Sequence, residues 1–168
     1  MGPRPNKTRK YRQNTKAIAV FRDKTVEGEV VLQNLPKNRV EVHATFTKLP
    51  PGKHGFHIHT AGDLRGEGCK GLCAHYHSGP SNTSHGDEPL KGVRKQRHTG
   101  DLGNIELPSS GPFTKQYILS GTSVQDLWGR SIIVHADEDD LGYGDHDDSK
   151  ITGHSGARLA CAILGRGN

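Results

Sequence analysis

Arg39-Val40-Glu41-Val42-His43-Ala44-Thr45-Phe46 is the stretch on which the fold turns. Val40, Val42, Ala44 and Phe46 alternate with more polar residues. Successive side chains of a strand point to opposite faces, so this segment reads as a strand buried on one side and wet on the other. Working outward, Lys16–Arg22 and Glu27–Leu32 read as strands upstream. Gly55–His59, Gly103–Leu107, Gln116–Leu119, Ser131–His135 and Arg158–Leu164 read as strands downstream. Turn signals at Glu27-Gly28, Leu35-Pro36-Lys37-Asn38 and Pro50-Pro51-Gly52 punctuate the first runs. No segment keeps a helical period over a useful length. Many short strands with Gly- and Pro-rich turns predict an all-β, antiparallel sandwich or barrel.

Two long segments interrupt the strands, at about residues 61–102 and 136–157, both rich in Gly, Asp, His and Ser. Loops this long are uncommon in a compact domain unless they carry function. The composition also asks for help beyond a hydrophobic core. Of 168 residues only 31% are apolar, while 22 are Gly and 11 are His. Such a chain offsets its conformational entropy poorly by burial alone, and metals or a disulfide are the natural supplements. Three cysteines, Cys69, Cys73 and Cys161, fit one pair plus a spare thiol.

The formal net charge is +5, but it is concentrated. Residues 1–16 hold Arg4, Lys7, Arg9, Lys10, Arg12 and Lys16 and no acid. Removing these six from the 23 basic residues leaves 17 against 18 acidic ones, a net charge of −1 for the remainder. The sequence therefore divides into a basic tail over 1–16, expected to be disordered, and one domain over 17–168. An arm for nucleic acid is the other reading of the tail, though it lacks aromatic interleaving or zinc-finger spacing. No run approaches the length needed to span a membrane, and the N-terminus lacks the apolar core of a leader. A cytoplasmic protein is expected, although a processed secreted one would read the same.

The chemistry lies in the histidines. His57 and His59 flank Ile58, so a strand would send both rings to one face about 6.6 Å apart, at about 3.3 Å per residue. That is a workable bite for a metal, and also what two solvated strand histidines look like. His75, His85, His98 and Asp101 follow in the first long segment. Three imidazoles and a carboxylate make the closed four-ligand set of a structural zinc site. A scatter of histidines in a polar loop accounts for the spacing equally well.

Taken together, the motifs resemble one family. Gly55-Phe56-His57-Ile58-His59 followed by Gly62-Asp63 is similar to the first signature of eukaryotic-type copper–zinc superoxide dismutases. His75, His85-Gly86 and Arg97-His98-Thr99-Gly100-Asp101-Leu102-Gly103-Asn104 resemble its zinc loop. Gly129–His135, Asp139-Asp140-Leu141-Gly142 and Gly156-Ala157-Arg158-Leu159-Ala160-Cys161 continue the likeness, which runs from about residue 17 to 165. The resemblance implies a Greek-key sandwich of eight strands that dismutes superoxide. It implies copper ligation by His57, His59, His75 and His135, and zinc ligation by His75, His85, His98 and Asp101, with His75 bridging. Asp139 then links a copper histidine to a zinc histidine. Arg158 attracts and positions superoxide, and Cys69 pairs with Cys161. A homodimer and loading by a copper chaperone are implied as well. A non-catalytic copper-binding or copper-chaperone-like module is the rival reading, but such relatives lose copper ligands or the arginine, and all are present here.

Departures from the pattern are local. The stretch between His59 and Cys69 is longer by about one residue, and Thr60 and Ala61 stand where the family often has Glu and Phe. Trp128, Ile163 and Gly165 occupy other interface-like positions. Cys73, just before His75, reads as a reduced bystander, with mispairing or metal ligation as alternatives. His77, His146 and His154 are additional histidines, read as solvated, with auxiliary metal ligation the alternative for the last two. An acidic run over 137–148 and Ile151, where a lysine is frequent, bear on how an anionic substrate is steered.

Overall fold

The computed structural model describes residues 15–86, 97–108 and 112–168. Among them nine strands alternate between two antiparallel sheets: β1 (Lys16–Arg22), β2 (Glu27–Leu35), β3 (Arg39–Lys48), β4 (Lys53–His59), β5 (Asp101–Glu106), β6 (Phe113–Ser120), β7 (Ser131–His135), β8 (Arg158–Ile163) and β9 (Gly165–Gly167). One sheet runs β6-β3-β2-β1-β9 and the other β5-β4-β7-β8. The chain leaves β3 for the second sheet, returns β6 beside β3, and sets β7 beside β4, the crossovers of a Greek key. Short helices α1 (Val124–Leu127) and α2 (Ser149–Thr152) sit in connections. No helix among the described residues is long and apolar enough to cross a membrane.

The alternation of β3 settles as read: Val40, Val42, Ala44 and Phe46 are fully buried. Phe46 meets Phe21 at 5.4 Å and Phe56 edge-on at 5.6 Å between ring centroids, so three strands share one aromatic contact across both sheets. On β7 all five residues are buried, because both faces are covered. Ile132 and Val134 join the main core, whereas Ile133 faces the other way and packs with Cys69 and Leu72. This outer face of the second sheet is where the first long loop lies, and it is where the site forms.

Three details change. Among the described residues a short ninth strand extends the expected sandwich: Gly165-Arg166-Gly167 pairs with β1, and a three-residue segment with two glycines has no alternation to reveal it. Glu27-Gly28 is not a turn. Gly28 lies inside β2 beside a register shift, and a Cβ there would sit 2.5 Å from the Thr45 carbonyl oxygen, so glycine serves close strand approach. The boundary of the basic tail also moves, since Lys16 opens β1. Residues 1–14, the bulk of that expected disordered tail, lie outside the described residues.

Cys69 and Cys161 form a disulfide with Cα atoms 6.0 Å apart. It closes a span of 92 residues, which restricts the unfolded chain by about 4 to 5 kcal/mol in the loop-entropy account. Cys161 pairs in register with Ile133, so the bond ties the first long loop to the outer face of the second sheet.

Candidate metal centre

The site grows from the pleat of β4. Phe56 and Ile58 enter the core, and His57 and His59 take the opposite face. His57 pairs in register with Ile133 on β7, and two residues on, His135 lies on that same face. The loop then folds down: Tyr76 N–H donates to the Ile58 carbonyl at 2.7 Å, Gly100 N–H to Tyr76 at 2.8 Å, and Ile58 N–H to Gly100 at 2.9 Å. This three-way backbone knot sets His75 over β4 and brings His98 and Asp101 alongside. The second long loop joins through His85 N–H, which donates to the Lys150 carbonyl at 2.8 Å.

The result is three overlapping sets in which ligand-type atoms lie within 4.8 Å of one another: His57, His59, His75 and His135; His75, His85, His98 and Asp101; and His57, His85 and Asp139. Every histidine and carboxylate of the implied copper and zinc sets falls in one of the first two.

Hydrogen bonds decide which nitrogen each ring offers. A backbone carbonyl only accepts, so a ring nitrogen on a carbonyl carries the proton. His59 Nδ1 donates to the Cys73 carbonyl at 2.8 Å and His135 Nδ1 to Gly156 at 3.3 Å, leaving Nε2 free on both. His98 Nε2 donates to the Thr83 carbonyl at 2.8 Å, leaving Nδ1. His57 and His85 turn Nε2 to the two oxygens of Asp139, at 2.7 and 2.8 Å, leaving Nδ1. His75 differs. Its Nδ1 sits 2.7 Å from Asp101 Oδ1 and 3.2 Å from His85 Nδ1 in the second set, while its Nε2 faces the first.

The donors fit cations. His57 Nδ1 and the Nε2 atoms of His59, His75 and His135 are buried without any hydrogen-bond partner. Orphans of this kind are rare unless an ion completes them. In the second set Asp101 Oδ2 lies 3.1 Å from His85 Nδ1 and 3.1 Å from His98 Nδ1. Four ligands at zinc distances of about 2.0 to 2.1 Å in a tetrahedron stand about 3.3 Å apart, close to these separations.

Electrostatics agree. Burial, with the neighbouring His75, Arg158 and His135 charges, pushes His59 down to about 2. Burial likewise lowers His135 to about 3 and His75 to about 4. These rings stay neutral, as ligands must. His85 goes the other way. Burial disfavours its charge, but Asp101 and Asp139 together raise it to about 9. Burial also opposes the charge on Asp101 and Asp139, yet hydrogen bonds from the histidines hold both carboxyls below the usual range.

Arg158, half-buried at the start of β8, donates through Nη1 to the carbonyls of Cys69 (2.6 Å) and Lys70 (3.1 Å), and through Nη2 to that of Cys73 (2.7 Å). The Cys73 carbonyl thus serves both Arg158 and His59. Cys73 itself is exposed and unpaired. His77 accepts from Thr99 N–H at 3.1 Å, and its ring lies 5.6 Å from that of His98, beside the second set rather than in it. Trp128 spends its indole N–H on the Lys16 carbonyl at 3.1 Å. Asn104 has a role the sequence reading did not assign. Its Nδ2 donates to the Asp139 carbonyl and its Oδ1 accepts from Asp139 N–H, at 2.8 and 2.7 Å. Its place in the zinc-loop motif was the available signal.

Comparison with known proteins gives a consistent picture. The profile described as copper/zinc superoxide dismutase matches residues 26–164. The superoxide dismutase [Cu-Zn] of Onchocerca volvulus is 42% identical over 166 residues, covering 92% of this chain and 98% of that one. The extracellular superoxide dismutase [Cu-Zn] of Drosophila melanogaster is 42% identical over 144 residues, 83% of this chain and 76% of the relative. Among solved structures, the clock protein EA4 superposes with a TM-score of 0.77 at 33% identity, over 91% of this chain and 95% of that one.

Proposed function

The chain belongs to the copper/zinc superoxide dismutase family and is a superoxide dismutase that uses copper and zinc, and on that premise we propose that His57, His59, His75 and His135 hold copper while His75, His85, His98 and Asp101 hold zinc. The observation that carries this reading is His75, the one ring in the two sets with a nitrogen turned to each.

Copper, when bound, supplies the one-electron change by which two superoxide anions and two protons become one oxygen and one hydrogen peroxide, and zinc adds fixed charge without redox chemistry. The chain does the rest. Neutral His59 and His135 present lone pairs because the carbonyls of Cys73 and Gly156 fix their tautomers. Asp139 holds His57 and His85 in orientation from one carboxylate. His75 Nε2, buried without a protein partner, would be the atom that takes up a proton in one half-reaction and returns it to peroxide in the other. Arg158, tied to three carbonyls, offers a fixed positive charge to the incoming anion.

Superoxide dismutation by the copper- and zinc-loaded protein beside His135→Ala tests this. The wild type is expected to be active and the variant to fall to background. A wild type that binds both metals yet stays inactive would instead make the chain a non-catalytic copper-binding or chaperone-like module. A homodimer and copper delivery by a chaperone extend the same reading, supported by the family likeness. Sedimentation of the loaded protein tests the dimer, and a monomer would remove it.

A further inference from the structure

Among the described residues outside the proposed copper and zinc sets, His146, Asp148 and His154 also come together. His146 and His154 lie at opposite ends of α2, and the chain folds back so that their rings stack, with centroids 3.6 Å apart and planes 11° from parallel. Both are exposed. His154 Nδ1 donates to Asp148 Oδ1 at 2.7 Å, and Thr152 Oγ1 donates to the other oxygen of that carboxylate at 3.2 Å. A carboxylate on one imidazole nitrogen fixes the tautomer and leaves the other nitrogen, here Nε2, as a lone pair. This is the arrangement that prepares a histidine for a metal. The sequence around the pair is Asp145-His146-Asp147-Asp148, so the local charge favours a cation.

The geometry points to a surface site for a divalent transition ion, held by His146 and His154 with Asp148 orienting His154. Two imidazoles select copper(II), nickel(II) or zinc over magnesium or calcium, and copper(II) most strongly. The rings now run nearly parallel, so their in-plane lone pairs do not yet converge. Both are solvent-exposed, and a shared ion would require the His146 ring to turn about χ2 while His154 stays on Asp148. His154 stands at φ +49°, a conformation that asparagine also adopts readily. His154→Asn therefore removes the imidazole while keeping the turn.

The test is titration of the full chain, first loaded with copper and zinc, with nickel(II) and separately copper(II), followed by calorimetry and, for copper, by electron paramagnetic resonance. The wild type is expected to take up one further equivalent of either ion, with dismutation unchanged. That equivalent should be lost in His146→Ala and in His154→Asn, and its affinity should fall about 10- to 100-fold in Asp148→Asn. Absence of a further equivalent would overturn the inference. So would an equivalent that survives both histidine substitutions, since it would then lie elsewhere on the protein.

Discussion

Asn104 and Asp139 clasp each other through two hydrogen bonds, the side-chain amide donating to the aspartate carbonyl at 2.8 Å and accepting from its N–H at 2.7 Å. The bonds reach from β5 to the loop after β7 and tie the two segments together. Asp139 is nearly inaccessible and spends both carboxylate oxygens on His57 and His85. Its backbone therefore has to be held by something else, and Asn104 does so. Gly153 makes room for the arrangement, since a Cβ there would fall 2.0 Å from Asp139 Oδ1.

Asn104→Ala should loosen Asp139 without removing any metal ligand. Zinc affinity is expected to fall, by less than the roughly 10- to 100-fold cost of losing Asp139, the direct outer partner of His57 and His85. Competition with a zinc chelator measures it. An unchanged affinity would show that the two bonds position nothing.

Arg158→Lys keeps the charge but loses the planar fork that bonds the carbonyls of Cys69, Lys70 and Cys73. Metal content should be retained while kcat/KM falls, and Arg158→Ala should fall further, by roughly tenfold, the lower end of what electrostatic guidance contributes. The wild-type rate should drop with added salt, and the alanine variant should respond less. Equal salt dependence in both would remove Arg158 from substrate guidance.

Much of this was legible in the residues, for a physical reason. Alternation along β3 and β4 is a local signal, and it located both strands and the two faces of β4 that divide core from histidines. What was not legible depends on contacts between distant segments. The strand position of Gly28 is set by Thr45 and Phe46 across β3. The role of Asn104 exists only once β5 meets the loop carrying Asp139. The stacking of His146 on His154 needs the turn that α2 makes between them. Spacing alone left the zinc set indistinguishable from scattered loop histidines, because three imidazoles ten or more residues apart converge only through the knot of Ile58, Tyr76 and Gly100.

Cys73 has φ 61° and ψ −153°, a backbone region that only glycine enters freely. It is kept there because its carbonyl is fixed by His59 and Arg158. Cys73→Gly should relieve strain of about 1 to 3 kcal/mol while adding about 0.5 to 1 kcal/mol of backbone entropy cost. The net expectation is a stabilisation of about 1 kcal/mol, seen as a higher Tm at equal metal loading. Cys73→Val should lower it. A glycine variant that melts earlier than the parent would mean the thiol makes a stabilising contact that outweighs the strain.

The metal-free protein should be most stable near neutrality and weaken on both sides. His59, His75 and His135, lowered by burial to about 2, 4 and 3 from an ordinary 6.5, give stability that is complete above that value. As pH falls below 6.5 the unfolded chain binds protons that the folded rings refuse, so stability is lost progressively towards the folded values. Asp101 and Asp139, held below the usual carboxylate range, add to the loss at the acid end. His85 has the opposite sign. Raised to about 9, it stabilises fully below 6.5 and its contribution disappears as pH rises through 9. Metal binding holds the ligand nitrogens deprotonated, so loading should push the acid limb to lower pH. Thermal unfolding across this range, with and without metals, measures both limbs. A metal-free Tm that climbs as pH falls from 6.5 to about 5 would mean the buried rings accept protons within the fold, and the neutral ligand set inferred from the carbonyl contacts of His59 and His135 would be wrong.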